Sequence, residues 1–363
     1  MSTIATLAFL VACTGSPEGS PPEGGSRGEV AAVVAKIVDG FMASDRTGSY
    51  DDVRAILVYQ QNRPLLRRYF DSSPEESRDI ASVTKSVMSI LIGTAIDEGA
   101  VDGVDDTLGE LLPDYRRVMS PPVAGITLRQ VLTMTAGLIP DRNDDAALRS
   151  ARDWIAAIVS HDLASAPGER FAYSSVGSHL LSAILVEATG QSVLDYARNK
   201  LFDPLQIDTE PAAEPLFAKR NVTRYEKASF AWPVDAQGHH TGYGWLKLTP
   251  DDMARIGLLM LAGGEWKGTQ IVSRQWTAES TQAHVEVTDH FRVSDSYGYQ
   301  WWITSADGHH SFAASGYGGQ LIQVVPDLDL VVVVSTQMTE PTRVSTEPFL
   351  TLVDQLIAPA IPD

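Results

Sequence analysis

The feature that most constrains the fold is where the strand-forming residues fall. Residues 53–59 and 64–70 are β-rich runs joined by Gln61-Asn62-Arg63, which reads as a hairpin. Helical spacing then dominates from about residue 82 to 262, with the clearest patterns at 82–98, 128–134, 147–159, 176–189, 193–200 and 250–261. Thr249-Pro250-Asp251-Asp252 opens the last of these with a capping residue, a first-turn proline and early carboxylates. Strands return at 297–304, 311–314, 321–325 and 328–335, and an apolar helix over 348–357 closes the chain. A further helix is expected at 30–44. Strands at both ends and helices between them predict an α+β architecture. One antiparallel sheet is built from the two terminal parts, flanked by helices, and an all-helical lobe is inserted. The expected division is an α/β lobe from 29–81 and 265–363 and a helical lobe from 82–264. A cleft between two such lobes is a natural place for an active site.

The formal charge of -18 repels phosphate backbones, so no nucleic-acid partner is expected. Hydrophobic residues at 44% and charged residues at 20% suit a globular enzyme with a sizeable core. Cys13 is the only cysteine, so no intrachain disulfide forms. It follows a short apolar run, residues 4–12, that resembles the hydrophobic part of a signal peptide. Leu10-Val11-Ala12-Cys13 resembles a lipobox, although no Lys or Arg precedes the run. Residues 14–28 read as a Gly/Pro/Ser tether. The expectation is lipidation at Cys13 and a membrane-surface anchor in a bacterial cell envelope, on the outer side of the cytoplasmic membrane.

Ser82-Val83-Thr84-Lys85 carries the candidate chemistry. Residues three apart share a helix face, so hydroxyl and amine can meet. A serine hydroxyl needs a base nearby, and lysine serves once desolvation or neighbouring charge favours its neutral form. The apolar stretch after Lys85, SVMSILIGTAI, predicts a buried helix that would supply desolvation. Ser-x-x-Lys alone arises readily by chance, so its surroundings decide its weight.

Those surroundings resemble the serine β-lactamase and penicillin-binding superfamily over most of residues 50–340. Ile80-Ala81-Ser82-Val83-Thr84-Lys85-Ser86 is similar to the nucleophile helix of that family. Residues 126–138 (ITLRQVLTMTAGL), 167–175 (PGERFAYSS), 247–255 (KLTPDDMAR) and 297–302 (YGYQWW) resemble further family stretches in the family's order. The resemblance implies a β-lactamase/transpeptidase-like fold and a serine hydrolase without cofactor or metal. It makes Tyr173 the tyrosine of the second motif, assisting proton transfer, with Ser175 in place of the motif's asparagine. The third motif is best matched by Ala314-Ser315-Gly316, followed by Tyr317-Gly318-Gly319-Gln320. Here alanine replaces the cation that binds a substrate carboxylate. The implied oxyanion hole is the backbone N–H groups of Ser82 and Tyr317, and Ser175, Ser315, Gly316 and Gly318 are the implied substrate-binding residues. YSSVGSHLL and GYGGQ look most like the branch of 6-aminohexanoate-dimer hydrolases and related esterases, so the expected substrate is a small ester or amide. The alternatives are a β-lactamase, a D-Ala-D-Ala carboxypeptidase, or a slowly acylating penicillin-binding protein without turnover.

Other hydrolase classes are disfavoured. No Gly-x-Ser-x-Gly is present, as an α/β-hydrolase would carry. His239-His240 and His309-His310 are adjacent pairs rather than spaced ligands, and no His-Glu-x-x-His occurs.

Overall fold

The structure, a computed structural model, describes residues 26–140, 151–217, 222–287, 293–338 and 344–362. Cys13, the lipobox and most of the tether lie outside the described residues, as do residues 147–150. The tether ends sooner than the sequence suggested. Helix α1 spans Arg27–Ser44, and the Ser26 N–H donates to the Glu29 carboxylate at 2.6 Å in a capping box.

Strands β1 (Val53–Gln60) and β2 (Arg63–Tyr69) form the hairpin, with Gln61 and Asn62 both at positive φ. A short strand β3 (Arg78–Asp79) leads into α2 (Val83–Asp97), in which every residue from Val83 to Ala95 is buried. A helix buried on all sides belongs in the middle of a protein, and α2 packs against both the sheet and the helical region. The helices α3 (Leu128–Leu132), α4 (Trp154–Ser160), α5 (Ser175–Thr189) and α6 (Val222–Lys227) follow. Strand β4 (Lys247–Leu248) pairs with β3, and α7 (Pro250–Leu261) has the bounds its capping residues predict.

The other strands of the main sheet are β5 (Val285–Glu286), β6 (Ser296–Tyr297), β7 (Trp302–Ala306), β8 (His309–Gly316), β9 (Gln320–Val325) and β10 (Leu330–Thr336). Helix α8 (Glu347–Leu352) continues into a wider helical turn over Val353–Ile357. The sheet is antiparallel in the order β2-β1-β10-β9-β8-β7-β6-β5, so the first hairpin docks on the last strand. One apolar cluster fills the face toward α2 and α7, and a second lies among α1, α8 and the opposite face. Chain ends make the sheet and the middle supplies helices, as the patterning required.

Four expectations need correction. Helix 128–134 stops at Leu132, because Met134 adopts a left-handed φ of 60°. Of the helix expected over 147–159, the described residues 151–153 are not helical, and the helix runs Trp154–Ser160, where the Asp153 carboxylate caps the Ala156 N–H at 2.9 Å. Helix α7 was assigned to the helical lobe, yet it packs against β9 and β10 of the sheet. Gly257 makes that possible, since a β-carbon there would stand 2.6 Å from Val331.

The fourth is the strand expected over 297–304, which is broken at Gly298–Trp301. Gln300 takes a left-handed φ of 62° and is buried, with hydrogen bonds to three elements. Its carbonyl accepts from Ser86 of α2 at 2.7 Å and its side-chain oxygen from Ser178 of α5 at 2.9 Å. Its amide nitrogen donates to the Leu132 carbonyl of α3 at 2.9 Å. These bonds tie α2 to the helical region.

Candidate active site

The turn before α2 is tight and strained. Pairing of β3 with β4 is extended by Ile80 N–H donating to the Leu246 carbonyl at 2.9 Å. Ala81 is then forced to φ 47°, a conformation a β-carbon disfavours. Ser82 follows at the N-cap position of α2 with φ -69° and ψ -6°. Gly316 at the end of β8 approaches this turn closely. A β-carbon there would lie 2.6 Å from the Ile80 carbonyl oxygen, so only glycine fits.

Lys85 stands one turn into α2 and is 1% exposed. Its Nζ donates to Ser82 Oγ, Ser175 Oγ and the Tyr243 carbonyl oxygen, each at 3.1 Å. It also lies 4.8 Å from the centroid of the Tyr173 ring and 5.7 Å from that of Tyr243. Tyr173 is buried and stacks on Trp302 with centroids 5.7 Å apart. Ser174 caps α5 by accepting the Gly177 N–H at 3.2 Å while its hydroxyl donates to the Ile139 carbonyl at 2.7 Å. That cap fixes where Ser175 begins the helix. Ser82 from one segment of the chain and Tyr173 and Ser175 from another therefore converge on the Lys85 amine.

Ser82 opens onto a cavity of about 890 Å³, whose wall includes Asp79, Tyr225, Tyr243, Trp245, Lys247 and Tyr317. Tyr317 is 55% exposed and Trp245 37%. Trp245 is held edge-on by Phe217 and Tyr225, with centroids at 5.3 and 5.8 Å. An adjoining cavity of about 730 Å³ around Tyr59, Arg67 and Asp251 shares Lys247 but does not reach Ser82.

The third-motif residues take different places. The Tyr317 backbone follows the end of β8, beside the Ile80–Ser82 turn. The Ser315 hydroxyl is buried and donates to Thr346 Oγ1 at 3.0 Å, so it is engaged with the protein rather than the cavity. Gly318 has φ 80°, and its carbonyl accepts from Thr336 Oγ1 at 2.6 Å. Gly316 and Gly318 thus shape the backbone around Tyr317.

Sequence reasoning missed Tyr243, Trp245 and Asp79. Tyr243 acts through a backbone carbonyl, which no side-chain motif reports. The available signal was the glycine pattern in Gly242-Tyr243-Gly244-Trp245. A β-carbon on Gly242 would meet the Ser178 carbonyl at 2.5 Å.

The electrostatics around this loop are uneven. Burial pushes the Asp79 carboxyl up to about 6, against the lowering effect of its hydrogen bonds and of Lys247. Burial pushes the Tyr225 phenol well up, and the neighbouring Asp79 carboxylate adds to it. Burial lowers Lys247, whose ammonium donates to the carbonyls of Tyr225, Glu226 and Ala228 at the end of α6. Behind the loop, burial lowers His179, whose Nε2 lies 3.1 Å from Asp235 Oδ2. His239 approaches the same oxygen at 3.0 Å. Burial alone would raise Asp235, but its bonds to the two imidazoles hold it well below the usual carboxylate range. Among the described residues, no group of three or more His, Cys, Asp or Glu side chains is placed to hold a metal ion.

The chain is 27% identical over 315 residues to the 6-aminohexanoate-dimer hydrolase of Paenarthrobacter ureafaciens, covering 79% of this chain and 73% of that protein. Among the solved structures that share the fold are two with high overlap. EstCE1, described as a hydrolase with promiscuous acyltransferase activity, superposes with a TM-score of 0.72 at 17% identity, covering 91% of this chain and 100% of that one. A penicillin-binding protein homologue from Caulobacter crescentus gives 0.70 at 17% identity, covering 94% and 99%. Residues 34–355 match the family described as Beta-lactamase. The chain belongs to the beta-lactamase family and is a serine hydrolase of that fold.

Proposed function

We propose that the protein hydrolyses a small ester or amide through an acyl-enzyme on Ser82. The observation that carries this reading is the 3.1 Å contact between Ser82 Oγ and a Lys85 amine removed from bulk water, at the edge of a cavity large enough for a small molecule. With Lys85 in its neutral form, Ser82 Oγ attacks the substrate carbonyl as the Lys85 lone pair takes its proton, giving a tetrahedral oxyanion. The Ser82 and Tyr317 backbone N–H groups receive that oxyanion. Among the described residues neither donates to another backbone carbonyl. Collapse expels the alcohol or amine, which leaves with a proton relayed from Lys85 with the help of Tyr173. Water then adds to the acyl-enzyme, giving its proton to Lys85, and the acid is released with Ser82 restored.

The cavity suits small, partly aromatic substrates, and its wall also carries one exposed cation, Lys227. Its wall presents Tyr243, Trp245 and Tyr317, while its two buried cations are already committed. Arg78 pairs with Glu76 at 2.7 Å, and Lys247 caps the end of α6. The relative named as a 6-aminohexanoate-dimer hydrolase and the structural neighbour named as a hydrolase and acyltransferase support an ester or linear amide. The test is steady-state hydrolysis of p-nitrophenyl butyrate, a 6-aminohexanoate dimer, a chromogenic cephalosporin and a D-Ala-D-Ala peptide. Turnover of the first two that Ser82→Ala abolishes is expected. A burst of one equivalent without turnover, on every substrate, would overturn the enzymatic reading.

We further propose that the mature chain is held at the membrane surface through acylated Cys13. Fractionation of cells expressing wild type and Cys13→Ala tests this, and an unchanged distribution would refute it.

A further inference from the structure

Asp79 belongs to none of the motifs that identify the site, yet it sits where two of its parts meet. A single oxygen, Oδ1, accepts the Ala81 N–H at 2.7 Å and the Trp245 N–H at 3.1 Å. The first donor lies in the strained turn that presents Ser82. The second lies in the loop whose Tyr243 carbonyl holds Lys85 Nζ. Ala81 and Trp245 both have positive φ, at 47° and 70°, so this oxygen holds the two non-glycine strained residues of the two segments.

We propose that Asp79 is a positioning residue for the hydrolysis: its carboxylate locks the nucleophile turn to the loop that seats the base, and so sets the Ser82–Lys85 distance. This rests on the reading of Ser82 and Lys85 as nucleophile and base. Pairing of Arg78 with Leu248 and Asp79 with Lys247 brings the two segments together, and the Ile80–Leu246 bond continues it. Beyond that bond the backbones diverge, and the Asp79 side chain spans the gap. Tyr225 of α6 and Lys247 of β4 face the carboxyl. The Lys247 ammonium is also engaged by the carbonyls at the end of α6, which leaves Oδ1 to the two backbone donors. An ionised acceptor makes such bonds shorter and stronger than a neutral one. Without it, nothing else among the described residues accepts from Ala81 N–H or Trp245 N–H, and both left-handed residues are free to relax.

The test is pre-steady-state acylation by p-nitrophenyl butyrate in Asp79→Ala, Asp79→Asn and Asp79→Glu, with Ser82→Ala as control. Asp79→Ala is expected to lower the acylation rate about 100-fold with KM changed less than about threefold, as misplacement of reacting groups does. Asp79→Asn keeps an oxygen in place and is expected to stay within about tenfold of wild type. Asp79→Glu keeps the charge but displaces the oxygen by one methylene, and is expected to be slower than Asp79→Asn. That order is read among folded variants, so it stands even if Asp79→Ala does not fold. A wild-type acylation rate in Asp79→Ala, or a faster Asp79→Glu than Asp79→Asn, would overturn the proposal. Hydrolysis surviving in Ser82→Ala would instead overturn the nucleophile assignment on which it rests.

Discussion

Replacing Asp79 with asparagine is expected to make the protein more stable at alkaline pH while slowing it. The folded carboxyl sits at about 6, against 3.8 for an ordinary one. A carboxyl raised on folding favours the protonated native state, so its contribution is fully present below 3.8 and is lost as pH rises toward 6. Above that range the native state bears the whole cost of an ionised, desolvated group, at most about 3 kcal/mol. It is a ceiling because the residue lines the cavity and is partly open to it. Asparagine removes the ionisation and keeps an oxygen for both backbone N–H groups. At pH 8 Asp79→Asn should therefore gain up to about 3 kcal/mol, and at pH 4.5 only about 1 kcal/mol. Urea unfolding followed by tryptophan fluorescence at both pH values measures the gap, with equal m-values as the check on the comparison. A gap that is the same at both pH values, or Asp79→Asn less stable than wild type at pH 8, would refute the reasoning.

Other substitutions test the remaining geometry. Lys85→Ala should lower kcat for p-nitrophenyl butyrate by about 10³-fold or more, since it removes the base and empties a buried seat; near-normal turnover would sink the assignment. Gly316→Ala places a β-carbon 2.6 Å from the Ile80 carbonyl, and the displaced turn should cost about tenfold or more in kcat. Unchanged kcat there would mean the strand gives way instead. Trp245→Ala should raise KM for aryl esters by about tenfold with a smaller effect on kcat, because it removes an aromatic wall of the cavity. Equal losses across aryl and short alkyl esters would deny Trp245 a part in selectivity.

What the sequence made legible was local or covalent. The start of α7 is written in Thr249, Pro250 and Asp252, and the structure shows Asp252 N–H donating to Thr249 Oγ1 at 3.1 Å. The Ser82–Lys85 spacing was readable because a helical turn fixes it. The break at Gln300 was not readable: Tyr297-Gly298-Tyr299-Gln300-Trp301-Trp302 has strand-forming residues, and only partners on α2, α3 and α5 turn it aside. The Ser315 contact was unreadable for the same reason, since its partner Thr346 lies 31 residues along the chain. Asp79 gave no signal because a lone carboxylate ahead of an apolar residue is common on any surface.

The closure of the sheet by its own two ends sets a constraint on how the chain is made. Strand β1 has one neighbour in its hairpin, but its other edge waits for β10, synthesised some 270 residues later by the numbering. Until then, Ala55–Val58 presents unpaired amides and carbonyls flanked by apolar side chains, an invitation to pair with another nascent copy. A chain that stops before residue 330 leaves that edge of β1 without its partner, so the last strand is also what shields the first from a second copy.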